Sequence, residues 1–120
     1  MRATPTQNRE VFDTIRTHLL TQGTRCTGEN GMCLYLDPTT GNRCAVGCLI
    51  DPSHYSPTLE DQTACDPQVQ RAVDASLGFS PHSEMLSDLQ SLHDDTDPSD
   101  WDYELTMLEE SHIQRGIMTR

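Results

Sequence analysis

The sequence predicts an α+β domain that is mostly helical and contains one short β-hairpin. Apolar residues recur at the period of an α-helix near the amino terminus and again after residue 66, which indicates amphipathic helices. Two short apolar runs flank a polar turn at residues 37–42, a pattern typical of a hairpin. The length of 120 residues suits a modest core, so we expect a single compact domain over residues 1–120.

The first predicted element is an N-terminal helix that runs to about Gln22. Thr6 is the expected N-cap, and Gly23 is the expected stop, because glycine readily adopts the left-handed conformation that ends helices. An apolar stripe at helical period comprises Val11, Phe12, Ile15, Leu19 and Leu20.

The next segment predicts the hairpin and a short helix. Residues 32–36 and 42–45 are the expected strands, and residues 45–50 are expected to be helical or turn-like. Because these strands are short, the hairpin requires helices packed against it.

Three further helices are predicted from a shared start signal. In each, a capping side chain precedes a proline, which suits the first helical position. The three starts are Asp66-Pro67, Ser80-Pro81 and Asp97-Pro98. The predicted order is therefore an N-terminal helix, a hairpin, a short helix and three C-terminal helices.

The charge is concentrated in the second half of the chain. Residues 1–50 carry five arginines against four acidic residues, whereas residues 51–120 carry three against fifteen, and there is no lysine. Phosphate contacts need clusters of Lys and Arg, so we expect no direct binding to nucleic acid. Acidic side chains can simply be solvated helix faces and caps, or they can attract a basic partner protein.

The acidic C-terminal segment is the predicted protein interface. Its candidate residues are Asp94, Asp95, Asp97, Asp100, Trp101, Asp102, Glu104 and Glu109. A tryptophan near a helix start is usually a core residue, but an exposed one beside these acids would anchor an interface.

The amino-acid sequence contains no pattern typical of a membrane span or of an export signal. No apolar run approaches the roughly 18 residues of a membrane span, and residues 1–6 lack the apolar centre of a signal peptide. We therefore expect a cytoplasmic protein that does not bind membranes.

The cysteines offer the sharpest chemical hypothesis. Their number, five, is odd and favours reduced thiols over a disulfide framework. Zinc could be held by Cys33, Cys44 and Cys48, with a fourth ligand from His54, His93 or Cys26. The spacing lacks a C-x2-C pair and the neighbours are apolar, so packing of the thiols in the core is the alternative.

A catalytic cysteine is a weaker hypothesis. Cys44 follows Arg43 near a predicted helix start, and both features can lower a thiol pKa. The sequence places no histidine beside it and contains no catalytic motif. We predict no enzyme activity and no cofactor.

The cysteine-rich segment also carries a family resemblance. Residues 33–35 read Cys-Leu-Tyr and residues 41–50 read Gly-x-x-Cys-Ala-Val-Gly-Cys-Leu-Ile, with Tyr55 and a Leu-Gln-x-x-His-Asp string at residues 89–94 further on. This resembles small phage- and prophage-encoded proteins with a C-x-Y…G-x-x-C-A-x-G-x-L-I motif. The chain departs from that group in residues 51–54 and in a longer 56–80 segment.

The resemblance implies an accessory protein that acts inside a host cell. Such a protein would bind and inhibit a host or bacterial-defence protein, of the anti-CRISPR or anti-restriction type, through its acidic surface. The alternative is a zinc-stabilised structural or regulatory module that uses Cys33, Cys44 and Cys48. The oligomeric state is left open.

Overall fold

Four α-helices form the framework of the protein in a computed structural model, which describes residues 1–28, 31 and 33–120. The helices are α1 (Pro5–Gln22), α2 (Pro67–Leu77), α3 (Ser83–Asp95) and α4 (Trp101–Gln114). Short 3-10 turns lie at Gly47–Leu49, Pro52–His54, Pro57–Asp61 and Pro98–Asp100. Helices α3 and α4 pack on each other, and α1 contacts both.

The buried side chains form one hydrophobic cluster. Phe12 and Leu19 contribute from α1, Leu89 from α3, and Trp101 and Leu105 from α4. The segment between α1 and α2 is largely irregular, yet it covers the same cluster with buried residues such as Tyr35, Cys44, Val46 and Leu59.

The predicted α+β class is wrong, and the fold is all-helical. Strand-like pairing in the described part of the chain is limited to isolated bridges, among them Thr27–Cys33 and Leu36–Arg43. A polar turn does close at residues 37–42, but the amides of Tyr35 and Leu36 do not continue a ladder. They donate to the Glu60 carboxylate at 2.7 and 3.2 Å. The first residue of the predicted hairpin, Met32, lies outside the described residues.

The start of α1 differs from the prediction by two residues. Thr4, not Thr6, is the N-cap, since its Oγ1 accepts a hydrogen bond from the Gln7 amide at 3.1 Å while Gln7 Oε1 accepts from the Thr4 amide at 2.9 Å. This capping box places Pro5 at the first helical position. The predicted stop is confirmed, because Gly23 is left-handed with φ 69°.

Two of the three predicted helix starts are confirmed. Asp66 accepts from the Gln68 amide at 2.9 Å and begins α2. Asp97 likewise caps the turn Pro98–Asp100, which leads directly into α4. The Ser80 start is wrong, because α3 begins at Ser83.

Ser80 instead holds the amino terminus. Its amide donates to the Met1 carbonyl at 2.7 Å, and its carbonyl accepts from the Ala3 amide at 2.9 Å. The Ser80 hydroxyl donates to Asp74 at 2.6 Å. The Ser80 hydroxyl is therefore engaged in a tertiary hydrogen bond and does not cap α3.

The end of α3 is fixed by side chains from elsewhere. The Arg25 guanidinium donates to the carbonyls of His93 and Thr96 at 3.1 and 2.7 Å, which satisfies groups that a helix end leaves unpaired. Trp101 Nε1 also donates to the Thr96 carbonyl, at 3.0 Å. These contacts hold the residues at the end of α3 in a defined position.

Within the described ranges, no helix has the length and apolar character that crossing a bilayer requires.

Candidate functional site

One cluster of potential ligand atoms converges at the end of α3. Single atoms of Cys33, His93 and Asp94 lie within 4.8 Å of one another, and this is the one such group among the residues that the structure describes. Asp94 Oδ1 accepts hydrogen bonds from His93 Nδ1 at 2.8 Å and from Gln90 Nε2 at 2.9 Å. The sulfur of Cys33 lies within 4.8 Å of the same carboxylate.

The protonation state of His93 follows from a backbone contact. The Cys26 amide donates to His93 Nε2 at 3.0 Å, so Nε2 carries no hydrogen. Nδ1 therefore holds the proton that it donates to Asp94, and the imidazole is neutral. The ring is fully buried and stacks on Trp101 with centroids 5.7 Å apart.

This tautomer does not suit a metal held through the converging atoms. A neutral histidine that binds metal through Nδ1 must carry its proton on Nε2. That proton would face the N–H of Cys26, placing two donors against each other across 3.0 Å. The cluster is thus built as a hydrogen-bonded network around the Asp94 carboxylate.

The carboxylate of Asp94 is charged despite its partial burial. Burial raises the pKa of Asp94, but the interactions with the His93, Cys33 and Gln90 side chains outweigh this effect and hold that pKa below its ordinary value. All three side chains are neutral, so they solvate the negative charge without cancelling it.

The same carboxylate faces a cavity of about 330 Å³. A second carboxylate, that of Glu60, also lines it, and Glu60 is held there by the Tyr35 and Leu36 amides and by the Tyr55 hydroxyl at 2.5 Å. The remaining lining residues are Cys33, Leu34, Tyr35, Gln62, Thr63, Ala64, Cys65, Ser87, Gln90 and Ser91. The cavity therefore carries negative charge in a lining that mixes polar and apolar groups.

The three cysteines of the predicted zinc site do not converge. The sulfur of Cys44 accepts from the Gly47 amide at 3.2 Å, and that of Cys48 donates to the Ala45 carbonyl at 3.0 Å. Of the three, only Cys33 belongs to the converging group. Of the candidate fourth ligands, His93 lies in that group, whereas Cys26 Sγ donates to the Asn42 carbonyl at 3.0 Å.

The thiols are held in their neutral form. Complete burial raises the pKa of Cys44 well above its ordinary value. Burial is also the main cause that raises the pKa of Cys33 and of Cys26 to about 11, and the pKa of Cys48 to about 12. The sequence-based hypothesis of a Cys44 nucleophile would need a thiolate, which this environment disfavours.

The predicted acidic interface divides into exposed and engaged residues. Asp95, Asp97, Asp100, Asp102 and Glu104 are exposed. We call four of them, Asp95, Asp97, Asp100 and Glu104, the acidic corner; these four make no ion pair among the described residues.

Three predicted interface residues are not freely available. Trp101 is fully buried, which corrects the interpretation of it as a surface anchor: its ring lies in the core on His93. Asp94 is half-buried in the network described above. Glu109 is also half-buried, 2.7 Å from an Arg9 nitrogen and 3.6 Å from one of Arg16.

Two exposed apolar side chains accompany the acidic corner. Tyr103 and Met107 are 67% and 53% exposed, and they lie one helical turn apart on α4. Glu104 shares this face, and Asp100 precedes it by one turn. Helical spacing from Trp101 and Leu105, which point inward, is a sequence signal that places Tyr103 and Met107 outside.

Comparison with known proteins adds no relative. No family model, no curated protein and no solved structure matches the chain.

Proposed function

We propose that the protein is a binding protein whose docking face is the outer surface of α4 together with the acidic corner. The observation that carries this proposal is the exposure of Tyr103 and Met107 beside uncompensated carboxylates. Apolar side chains with a charged border are the usual composition of a protein-binding surface.

The charge of this face defines the partner. Asp95, Asp97, Asp100 and Glu104 would attract a surface rich in Lys and Arg and speed its association. The face of the Tyr103 ring can also hold a cation, which adds a contact specific to basic side chains. Met107 beside it supplies an adaptable apolar contact.

The partner class is the one implied by the resemblance to phage proteins. We propose a host or bacterial-defence protein as the target, with inhibition as the outcome and the host cytoplasm as the location. A zinc-stabilised module is not favoured as a second function, because Cys33, Cys44 and Cys48 do not converge.

The test compares matched surface variants in affinity capture. Tyr103→Ser/Met107→Ser removes the apolar contacts, and Asp100→Asn/Glu104→Gln removes two charges. Leu20→Ser is the control, because Leu20 is also an exposed apolar residue but lies on α1. The proteins are immobilised and exposed to bacterial lysate at about 50 mM and about 500 mM salt.

We expect a partner that the wild type and Leu20→Ser retain at low salt and that both double variants lose. Its retention should fall by at least about tenfold at high salt, because the long-range attraction is screened. A partner retained equally by Tyr103→Ser/Met107→Ser, or indifferent to salt, would contradict the proposal.

A further inference from the structure

Two carboxylates line the cavity at the end of α3, and no described residue of the lining carries a matching positive charge. Asp94 receives only neutral donors, since His93 is held neutral by the Cys26 amide. Glu60 receives two backbone amides and the Tyr55 hydroxyl, which are also neutral. None of the described residues that line the cavity is basic.

An arginine close to the cluster, Arg25, is already engaged. Arg25 acts on the pKa of Cys33, so it lies close to the cluster, but its guanidinium donates to the carbonyls of His93 and Thr96. It does not line the cavity. The negative charge of the cavity is therefore available to a ligand.

The dimensions and lining favour an organic cation over a bare metal ion. The volume of about 330 Å³ lies at the lower end of small-ligand cavities. The Glu60 carboxylate does not belong to the group of ligand atoms that lie within 4.8 Å of one another. Asp94, Glu60 and Cys33 therefore do not converge on a single metal ion. The proton on His93 Nδ1 further disfavours metal coordination there.

The rest of the lining can accept several hydrogen bonds. The side-chain amide of Gln62 and the hydroxyls of Ser87 and Ser91 line the cavity together with the carboxylates, whereas the Gln90 side-chain oxygen already accepts from the Val46 amide at 3.0 Å. A guanidinium group presents five N–H donors and an ammonium group three, so each needs a negatively charged, acceptor-rich site.

We propose that this cavity binds a guanidinium or primary ammonium group, with Asp94 and Glu60 as its counter-charges. The group can belong to a free small molecule or to an Arg or Lys side chain. In the second case the inference rests on the proposed function, because the side chain would come from the basic partner.

The test uses small probes of matched shape. n-Butylguanidinium and n-butylammonium carry the charge, and n-butylurea is the neutral counterpart of the guanidinium. Binding to the full chain is followed by NMR of the backbone amides at residues 62–65 and 87–94. We expect both cations to shift these resonances and to bind at least about tenfold more tightly than the urea.

Matched variants locate the site. Asp94→Asn should weaken binding of butylguanidinium about tenfold, whereas Asp95→Asn, the same change on the exposed neighbour, should alter it less than about twofold. Ser91→Phe keeps both carboxylates but fills the cavity, and it should abolish binding even if Asp94→Asn disturbs the fold.

A capped Gly-Arg-Gly peptide distinguishes the two sources of the cation. Peptide binding as tight as that of butylguanidinium assigns the site to a partner's side chain, and exclusion of the peptide assigns it to a free molecule. The docking face on α4 can fail its own test without affecting these measurements.

Three outcomes would overturn the inference. One is equal binding of butylurea and butylguanidinium. Another is equal weakening by Asp94→Asn and Asp95→Asn, which would indicate general attraction to an acidic surface. The third is stoichiometric zinc binding that Cys33→Ser removes and that excludes the organic cations.

Discussion

At the scale of single residues, Gly47 occupies a position where no side chain fits. A Cβ atom added there would lie 2.0 Å from the Tyr35 carbonyl oxygen. Because the obstacle is backbone, Tyr35 and its contact with Glu60 would have to move. We expect Gly47→Ala to lower the free energy of unfolding by about 2–4 kcal/mol in urea denaturation.

Gly41→Ala is the matched control. Gly41 has φ 79°, but no atom of the described residues lies within 4 Å of an added Cβ. Only backbone strain opposes that change, and we expect a loss of about 1 kcal/mol. Equal losses for the two variants would show that the close approach at Gly47 is not what constrains the position.

Residue chemistry also explains how much of the site the sequence predicts. The acidic corner can be predicted from the sequence, because exposed aspartates around the connection between two helices form a local pattern. The prediction of Trp101 as an interface residue was wrong, because its burial depends on contacts with His93 and Thr96, which lie outside its own helix. The association of Cys33 with Asp94 joins residues about 60 positions apart, and no spacing rule reaches that far.

At the scale of elements, the helices are predictable because their signals are local. Capping by Asp66 and Asp97 needs only the two residues that follow each of them. The predicted hairpin is reduced to an isolated bridge between Leu36 and Arg43, because the Glu60 carboxylate, 25 residues beyond Tyr35, accepts from the Tyr35 amide that would have extended the pairing. The helix start predicted at Ser80 was wrong for a similar reason. Ser80 makes tertiary hydrogen bonds with Met1 and Asp74 and does not cap the helix.

The contact between α3 and α4 contains a buried histidine that should make stability depend on pH. His112 is fully buried, with Nε2 3.3 Å from Asp88 Oδ2, but neither ring nitrogen has a hydrogen bond among the described residues. Burial lowers the pKa of His112 and outweighs the opposite effect of Asp88. Arg115 and His82 lower it further, and Glu84 opposes them.

The free energy of unfolding should therefore fall as the pH decreases below about 6.5, which is the ordinary pKa of a histidine side chain. In that range the unfolded chain takes up a proton that the folded chain resists, and the loss ends below the folded pKa. Each unit of lowered pKa corresponds to about 1.4 kcal/mol. Urea denaturation between about pH 7.5 and pH 5.5 measures this, above the range where carboxyl groups titrate.

A substitution of His112 tests whether this residue causes the pH dependence of stability. His112→Met removes the titrating group and keeps an apolar side chain, so the stability should change much less over the same pH range. His54→Gln, on the exposed turn after Asp51, should leave the wild-type slope intact. A slope that survives His112→Met would mean that another group causes it.

At the scale of the whole molecule, charge repulsion and ion pairs act in opposite directions. The net charge is −11, which favours an expanded chain through self-repulsion. The pairs of Arg9 and Arg16 with Glu109 join α1 to α4, and Arg115 pairs with Glu84 between α4 and α3. Exposed ion pairs contribute about 0–1 kcal/mol each, so the excess of acids should dominate.

We therefore expect salt to stabilise the fold. Raising NaCl from about 10 mM to about 200 mM shortens the Debye length to below about 10 Å and should raise the Tm by roughly 3–6 °C, measured by calorimetry. Asp100→Asn/Glu104→Gln removes two uncompensated charges, so it should raise the Tm at low salt and reduce the salt response. A Tm that falls with salt would show that the ion pairs between helices outweigh the repulsion, and the acidic corner would then not carry the excess charge on which its attraction for a basic partner depends.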